Sequence, residues 1–240
     1  MKIIIQAGGK GKRLGNSTTL IPKPMIKINN KPLIEYSLDL FKAQGFTDFI
    51  FTLCYLPKVI KKHYTNGEKF GINISYFIEK TKDPLGTAGA LAFLNYKITD
   101  TFIVCSGDII RSCNIKDILN FHKNKKGLAT ICVYRNIEPI PKSIISFNET
   151  FQITKFIERP KKKQSDEVWS NASLYVFEPE IFSLIPKNKF SDFGMDIFPK
   201  LLKNNKKLFA YKDIGYFLDV GTKEKIKIAE KDIRNKNFKI

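Results

Sequence analysis

An apolar run, Ile3-Ile4-Ile5, passes almost directly into a glycine-rich segment, Ala7-Gly8-Gly9-Lys10-Gly11-Lys12-Arg13-Leu14-Gly15. A run without polar alternation is what a strand buried on both faces needs. Glycines just after it let the backbone take positive φ and bring its N–H groups close to a bound anion. Arg13 and the neighbouring lysines add charge suited to phosphates. A chain that opens this way points to an open α/β sheet, in which ligands bind at the carboxyl ends of the strands. A tight turn would also account for the glycines taken alone, and two familiar phosphate motifs do not fit. A Walker A loop would need glycine at Gln6 and serine or threonine at Arg13. A dinucleotide fingerprint would need glycine at Leu14 and an acidic residue ending the second strand.

Downstream, short apolar runs alternate with amphipathic stretches. The periodicity predicts a helix over 32–44, with Leu33, Ile34, Ser37, Leu38 and Phe41 as its inner stripe and Gly45 as its C-cap glycine. Strands are expected over 49–53, 72–78, 101–105 and 129–134, with helices over 58–64, 87–94 and 115–123. Such alternation gives a mostly parallel sheet with helices on both faces, joined by right-handed crossovers. After about residue 135 the pattern changes. A hairpin (144–146 with 152–157) is followed by a strand over 172–177 and a helix over 192–203. Short strands over 209–211 and 216–220 and a helix over 223–234 close the pattern. The expected fold class is α/β: a Rossmann-like mixed, mostly parallel sheet with a small C-terminal α+β lobe. Residues 1–240 read as a single domain, with 1–135 as one half and 136–240 as the lobe.

Four further segments carry chemistry. Pro22-Lys23-Pro24-Met25 stiffens a lysine between two prolines, and a held ammonium suits a phosphate; an ordinary turn lysine is the simpler reading of that segment alone. Asp83-Pro84-Leu85-Gly86-Thr87-Ala88-Gly89-Ala90-Leu91 enters a helix through small residues, which admit a flat ligand such as a base or serve close packing. Ser106-Gly107-Asp108 ends an apolar strand in a carboxylate placed to hold Mg²⁺ or to cap a turn. Asp219-Val220-Gly221-Thr222 repeats that arrangement, and two such aspartates could share one metal or hold two.

Composition narrows the function class. Lys and Arg total 41 against 23 Asp and Glu, a formal charge of +18, which favours anionic partners. Much of this is solvated lysine in a Lys-, Ile- and Asn-rich chain. The longest basic run is Lys161-Lys162-Lys163, with no recognition helix or aromatic-rich RNA-binding strand, so nucleic acid is not the expected partner. No apolar run reaches membrane-spanning length, and the run at Ile3-Ile4-Ile5 ends too early for a signal peptide, so a cytoplasmic protein without membrane contact is expected. Cys54, Cys105, Cys113 and Cys132 lack metal-ligand spacing and read as reduced thiols, mostly buried. Phe190, Phe193 and Phe198 read as lobe core in preference to an interface stripe, although a homodimer is compatible with the sequence.

Together, in this order, the five segments resemble the sugar-1-phosphate nucleotidylyltransferases, whose hallmark is a strand followed by GGxGTRL, PKPM, a glycine-rich base segment, a strand ending in GD and a late DxGT. The resemblance covers essentially the whole chain. The form Pro84-Leu85-Gly86-Thr87-Ala88-Gly89-Ala90-Leu91 is most like the guanylyltransferases, including those for mannose 1-phosphate and D-glycero-D-manno-heptose 1-phosphate. It implies the nucleotide-diphospho-sugar transferase fold, with 1–135 binding nucleotide and 136–240 binding sugar phosphate. No left-handed β-helix, which extends some relatives, is expected after Ile240.

The implied reaction transfers a nucleotidyl group from an NTP, GTP favoured, to a mannose- or heptose-type sugar 1-phosphate. Pyrophosphate leaves, and the NDP-sugar serves surface polysaccharide synthesis. Uridylyl or other transfer to glucose or glucosamine 1-phosphate is the alternative, as is a degenerate nucleotide-sugar-binding subunit. By the same resemblance, Ala7, Gly8, Gly9, Gly11, Lys12, Arg13 and Gly107 wrap the nucleotide, and Gly86, Thr87 and Gly89 face the base. Arg13, Lys23 and Asp108 are catalytic, Asp108 and Asp219 hold Mg²⁺, and Glu158, Arg159, Asn171 and Asp219 bind the sugar phosphate. Three departures stand out: Lys12 for the usual threonine, Arg159 for the lysine of EKP (a role Lys161 could also take), and Ser173 for the glycine of NAG.

Overall fold

The opening isoleucines form the strand Ile3–Gln6, and all three are fully buried. In the computed structural model the described residues are 1–80, 82–161 and 167–235, with the side chains at 12, 16 and 17 also outside the description. They gather into two compact units. The first takes Met1–Pro84, Cys105–Ile115 and the chain from Gly215 on; the second takes Leu85–Val104 and Lys116–Ile214. The fold class is α/β with a mixed, mostly parallel sheet.

In the first unit Ile3–Gln6 pairs in parallel with Asp48–Leu53, which pairs in parallel with Asn73–Ile78. Ile4 lies opposite Ile50, and Phe49 opposite Ile74; all four are buried, as unalternated runs require. The helix Leu33–Ala43 buries the expected stripe of Leu33, Ile34, Ser37, Leu38 and Phe41. It stops where Gly45 takes φ 89° and donates to Lys42 O at 2.9 Å, a conformation that needs glycine. A shorter helix spans Pro57–Tyr64.

Ile109–Arg111 and Phe217–Asp219 form an antiparallel pair in which Asp219 lies opposite Ile109. The three-residue strand Ile109–Arg111 is too short for any periodicity to announce it. The helix Lys223–Arg234 follows, capped by Thr222, whose Oγ1 accepts from Lys225 N at 3.3 Å. Ile28, Leu33, Tyr36, Ile110, Leu218, Val220 and Ala229 make one buried cluster, so early and late parts of the chain share a core.

In the second unit Leu208–Lys212 runs parallel to Ala129–Asn136, which runs antiparallel to Val168–Phe177. The expected hairpin is present as Ser143–Phe147 with Ile153–Glu158. Phe193 and Phe198 stack with Phe177 and are buried, whereas Phe190 is exposed, so the phenylalanine stripe is core at two of its three positions. Part of the lysine excess is structural: Lys212 Nζ sits 5.3 Å from the ring centres of Phe151 and Trp169, and Lys125 Nζ 5.4 Å from those of Phe121 and Phe151.

Two expected helices depart from regularity. Over 87–94 the chain makes an α-turn, Gly86–Gly89, then a 3₁₀ stretch, Ala90–Phe93, because Ala88 N and Gly89 N both donate to Ser191 O. Over 192–203 the first turn is a π-helix, Phe193–Ile197, followed by the α-helix Phe198–Lys203. Ile197 N reaches Asp192 O at 3.1 Å, and Pro199 has no N–H with which to continue a regular ladder behind it. Cys54, Cys105 and Cys132 are buried and Cys113 is half-buried, none of them in a disulfide among the described residues; burial pushes Cys105 up to about 12. No helix among the described residues is long and apolar enough to cross a membrane.

Candidate active site

The glycines of the opening loop do different physical work. A Cβ on Gly8 would meet Cys54 Cβ at 3.0 Å, so this glycine permits close approach to the neighbouring strand end. Gly11 has φ 62°, and a Cβ there would meet Thr18 Cγ2 at 2.9 Å and Lys23 Cβ at 3.0 Å. Gly9 has nothing within 4 Å of its Cβ position, so no neighbour requires a glycine there. Ala7 N continues the strand ladder to Thr52 O at 2.9 Å. Of Lys12 only the backbone is described: it opens the 3₁₀ segment Lys12–Thr18, and its side chain lies outside the described set.

Pro22 precedes a 3₁₀ turn, Lys23–Met25, that contains Pro24, and Lys23 is 6% exposed. Its Nζ donates to Asp108 Oδ2 and lies 3.6 Å from Asp219 Oδ1. Asp108 Oδ1 also accepts from Ser106 Oγ. The two aspartates meet through backbone pairing: Val220 N donates to Asp108 O at 3.1 Å, next to the Asp219–Ile109 register pair. Gly107 keeps its turn against the first strand by donating to Gln6 O at 3.0 Å, and a Cβ there would meet Ile5 Cγ2 at 3.0 Å. Arg13 is exposed, yet its guanidinium lies over Gly221: a Cβ there would meet Nη2 at 2.7 Å and Cζ at 3.1 Å. The first unit thus brings together Gly8, Gly11, Arg13, Lys23, Gly107, Asp108 and Asp219.

The donor set suits a hard divalent cation. Two carboxylates converge on one point, held there by the Lys23 ammonium, and among the described residues no group of three or more His, Cys, Asp or Glu side chains could hold a metal ion. Mg²⁺ characteristically takes one or two carboxylates and fills its remaining positions with water and phosphate oxygens. Asp108 and Asp219 fit that pattern.

The second unit carries the other candidates. Gly86 has φ 78°, and a Cβ there would meet Ser191 O at 2.5 Å; one on Gly89 would meet Lys189 O at 2.8 Å. Their smallness therefore serves the close approach of the 189–191 segment. Thr87 Oγ1 donates to Asp192 Oδ2 at 2.9 Å and accepts from Phe193 N at 2.9 Å. Asn171 Nδ2 donates to Tyr175 Oη at 2.8 Å, and its Oδ1 accepts from Ser173 N at 2.9 Å. That leaves one amide hydrogen and one lone pair for a ligand. Ser173 stands at φ 51° in the strand's irregular stretch, a conformation that costs a glycine nothing. Arg159 is exposed at φ 50°. Lys162 and Lys163 lie outside the described residues.

Glu158 ends its strand half-buried, and burial, then Asp192 nearby, push its carboxyl up to about 7. Asp192 was not singled out as a site residue by the sequence reading. Its Oδ1 accepts from Gly194 N at 2.9 Å and Met195 N at 3.0 Å, an N-cap arrangement. An aspartate at the start of an amphipathic run was the available signal.

The sequence profile of the family described as Nucleotidyl transferase matches residues 2–236. The UTP–glucose-1-phosphate uridylyltransferase of Synechocystis is 30% identical over 237 residues, covering 92% of this chain and 60% of that protein. The mannose-1-phosphate guanyltransferase of Saccharomyces cerevisiae is 32% identical over 227 residues, covering 92% of this chain and 61% of that protein. The chain thus spans about three fifths of the length of the curated relatives it matches. Among solved structures, HddC from Yersinia pseudotuberculosis complexed with GMP-PN superposes with a TM-score of 0.81 at 24% identity, covering 97% of this chain and 99% of that one. That likeness shows the fold.

Proposed function

The chain belongs to the nucleotidyl transferase family, and on that premise we propose that it transfers a nucleotidyl group from an NTP to a sugar 1-phosphate, releasing pyrophosphate. The observation that carries the reading is the convergence of Lys23, Asp108 and Asp219 on one point in the first unit. A sugar phosphate oxygen is ionised at neutral pH, so it attacks the α-phosphorus without a protein base, in line with the departing pyrophosphate. Catalysis is then positioning and charge neutralisation. The backbone of Ala7, Gly8, Gly9, Gly11 and Gly107, with Arg13 and Lys12, takes the nucleotide. Lys23 holds both carboxylates and offers its ammonium to developing phosphate charge. Asp108 and Asp219 would hold Mg²⁺, which supplies charge neutralisation at the phosphates when bound.

In the second unit Gly86, Thr87 and Gly89 are assigned to the base, and Glu158, Arg159 and Asn171 to the sugar phosphate. Residues 1–240 work as one cytoplasmic nucleotidyltransferase domain whose product serves surface polysaccharide synthesis. GTP with a mannose- or heptose-type sugar is the favoured pair, supported by the mannose-1-phosphate relatives. Uridylyl transfer to glucose 1-phosphate is the second reading, supported by the Synechocystis relative. The test is pyrophosphate release with Mg²⁺ over GTP, UTP, CTP, dTTP and ATP against mannose, heptose, glucose and glucosamine 1-phosphates. Turnover in one combination establishes the class and names base and sugar. A blank grid from folded protein that binds no nucleotide overturns it.

A further inference from the structure

A Cβ placed on Gly194 would meet Glu158 Oε2 at 2.5 Å, Cδ at 2.7 Å and Cγ at 3.0 Å. The Gly194 backbone lies outside the positive-φ region, so its conformation does not require glycine. What the missing side chain makes room for is the Glu158 carboxylate. We propose that Gly194 is a specificity-determining position: it sets where Glu158 presents its carboxylate to a sugar hydroxyl, and Asp192 anchors it to the glycine-rich segment Gly86–Gly89. The inference rests on the reading of Glu158 as a sugar-binding group and adds the residue that fixes its placement.

The anchoring is dense. Asp192 Oδ1 takes the N–H groups of Gly194 and Met195, and its Oδ2 takes the Thr87 hydroxyl. Thr87 Oγ1 in turn accepts from Phe193 N, and Asp192 N donates to Asp196 Oδ2 at 2.7 Å. Ser191 O accepts from Ala88 N at 2.8 Å and Gly89 N at 3.1 Å. The backbone at 191–194 therefore cannot yield when a side chain is added at 194. Glu158 can, because its carboxylate is the far end of a flexible side chain and makes no hydrogen bond among the described residues. With Asp192 Oδ1 committed to the cap and its Oδ2 to Thr87, Glu158 is the carboxylate left to read a hydroxyl. The π-helical turn that carries Gly194 is a geometry frequent at functional sites.

The experiment compares Gly194→Ala, Glu158→Gln and the double variant. Gly194→Ala is expected to raise KM for the sugar 1-phosphate about tenfold while KM for the NTP and the thermal midpoint stay close to wild type. In the Glu158→Gln background the same change should add less than about twofold, because Gly194 acts through Glu158. Independent losses in the double variant, or an unchanged sugar KM in Gly194→Ala, would overturn the proposal. An unchanged sugar KM in Glu158→Gln would instead overturn the reading of Glu158 on which it rests. A readout free of turnover is the Glu158 carboxyl titration by ¹³C NMR. Gly194→Ala should move its midpoint away from about 7, and an unmoved midpoint counts against the proposal even if no substrate pair turns over.

Discussion

Lys23 donates to Asp108 and lies 3.6 Å from Asp219, so one buried ammonium neutralises two carboxylates brought in by distant turns. Removing it leaves two like charges facing each other, and breaking a buried pair costs on the order of 3–5 kcal/mol where burial is complete and less here, because both aspartates retain some exposure. Lys23→Ala should lower turnover by at least about a hundredfold and lower the thermal midpoint in EDTA. Mg²⁺ should recover part of that midpoint, since it replaces the lost positive charge. Equal midpoints with and without Mg²⁺ in the variant would argue against metal binding at this pair.

Asp108→Asn keeps the side-chain shape and removes the charge. Lys23 retains Asp219, so the fold should hold, as read by circular dichroism, while turnover falls by about a hundredfold or more. Near-normal turnover would dismiss Asp108 from the chemistry.

Gly221 bears on Arg13 from below the guanidinium. Gly221→Ala should displace that group with little change in stability, because the clash is with the tip of a flexible side chain. We expect about a tenfold loss in kcat/KM. The same change in an Arg13→Ala background should add almost nothing, and additive losses would show that Gly221 acts elsewhere.

The loop glycines should separate by substitution. Gly11→Ala forces a side chain into φ 62° and against Lys23, so unfolding free energy should fall by about 1–2 kcal/mol or more in urea titration. Gly9→Ala meets no neighbour and should leave stability unchanged. A raised KM for the NTP in Gly9→Ala would mark that space as ligand space.

Glu158 gives a pH signature. Its folded carboxyl lies near 7 against an ordinary 4.5, so between these values the folded state holds the extra proton. Stability contributed by this group is therefore greatest below about 4.5 and is lost as pH rises toward 7. Glu158→Gln should flatten the stability profile across that window and make the variant the more stable form at pH 8. An unchanged slope would mean that Glu158 titrates normally.

The sequence announced the parts of the site better than their meeting. Strand ends, glycines and prolines mark the opening loop, Lys23, Asp108 and Asp219, because each obeys a local rule of chain geometry. Nothing local says that Asp108 and Asp219 adjoin, since that depends on the brief Ile109–Arg111 pairing with Phe217–Asp219. The family resemblance makes Thr87 and Asn171 ligand contacts, and both also spend hydrogen-bonding capacity internally, on Asp192 and on the irregular strand at Ser173. Gly86 and Gly89 are small for the sake of a neighbouring backbone that pattern reading does not place beside them. Capping and packing use the same residue types as binding, which is why composition could not separate them.

The first unit is assembled from separated stretches, with Leu218, Val220 and Ala229 sharing a core with Ile28 and Leu33. During vectorial synthesis Ile28, Leu33 and Tyr36 lack the late members of that core until the second unit has emerged. Asp219 arrives in the same late stretch. A nascent or truncated chain lacking that stretch therefore cannot present the paired carboxylates, which meet only once the late strand has paired with Ile109–Arg111.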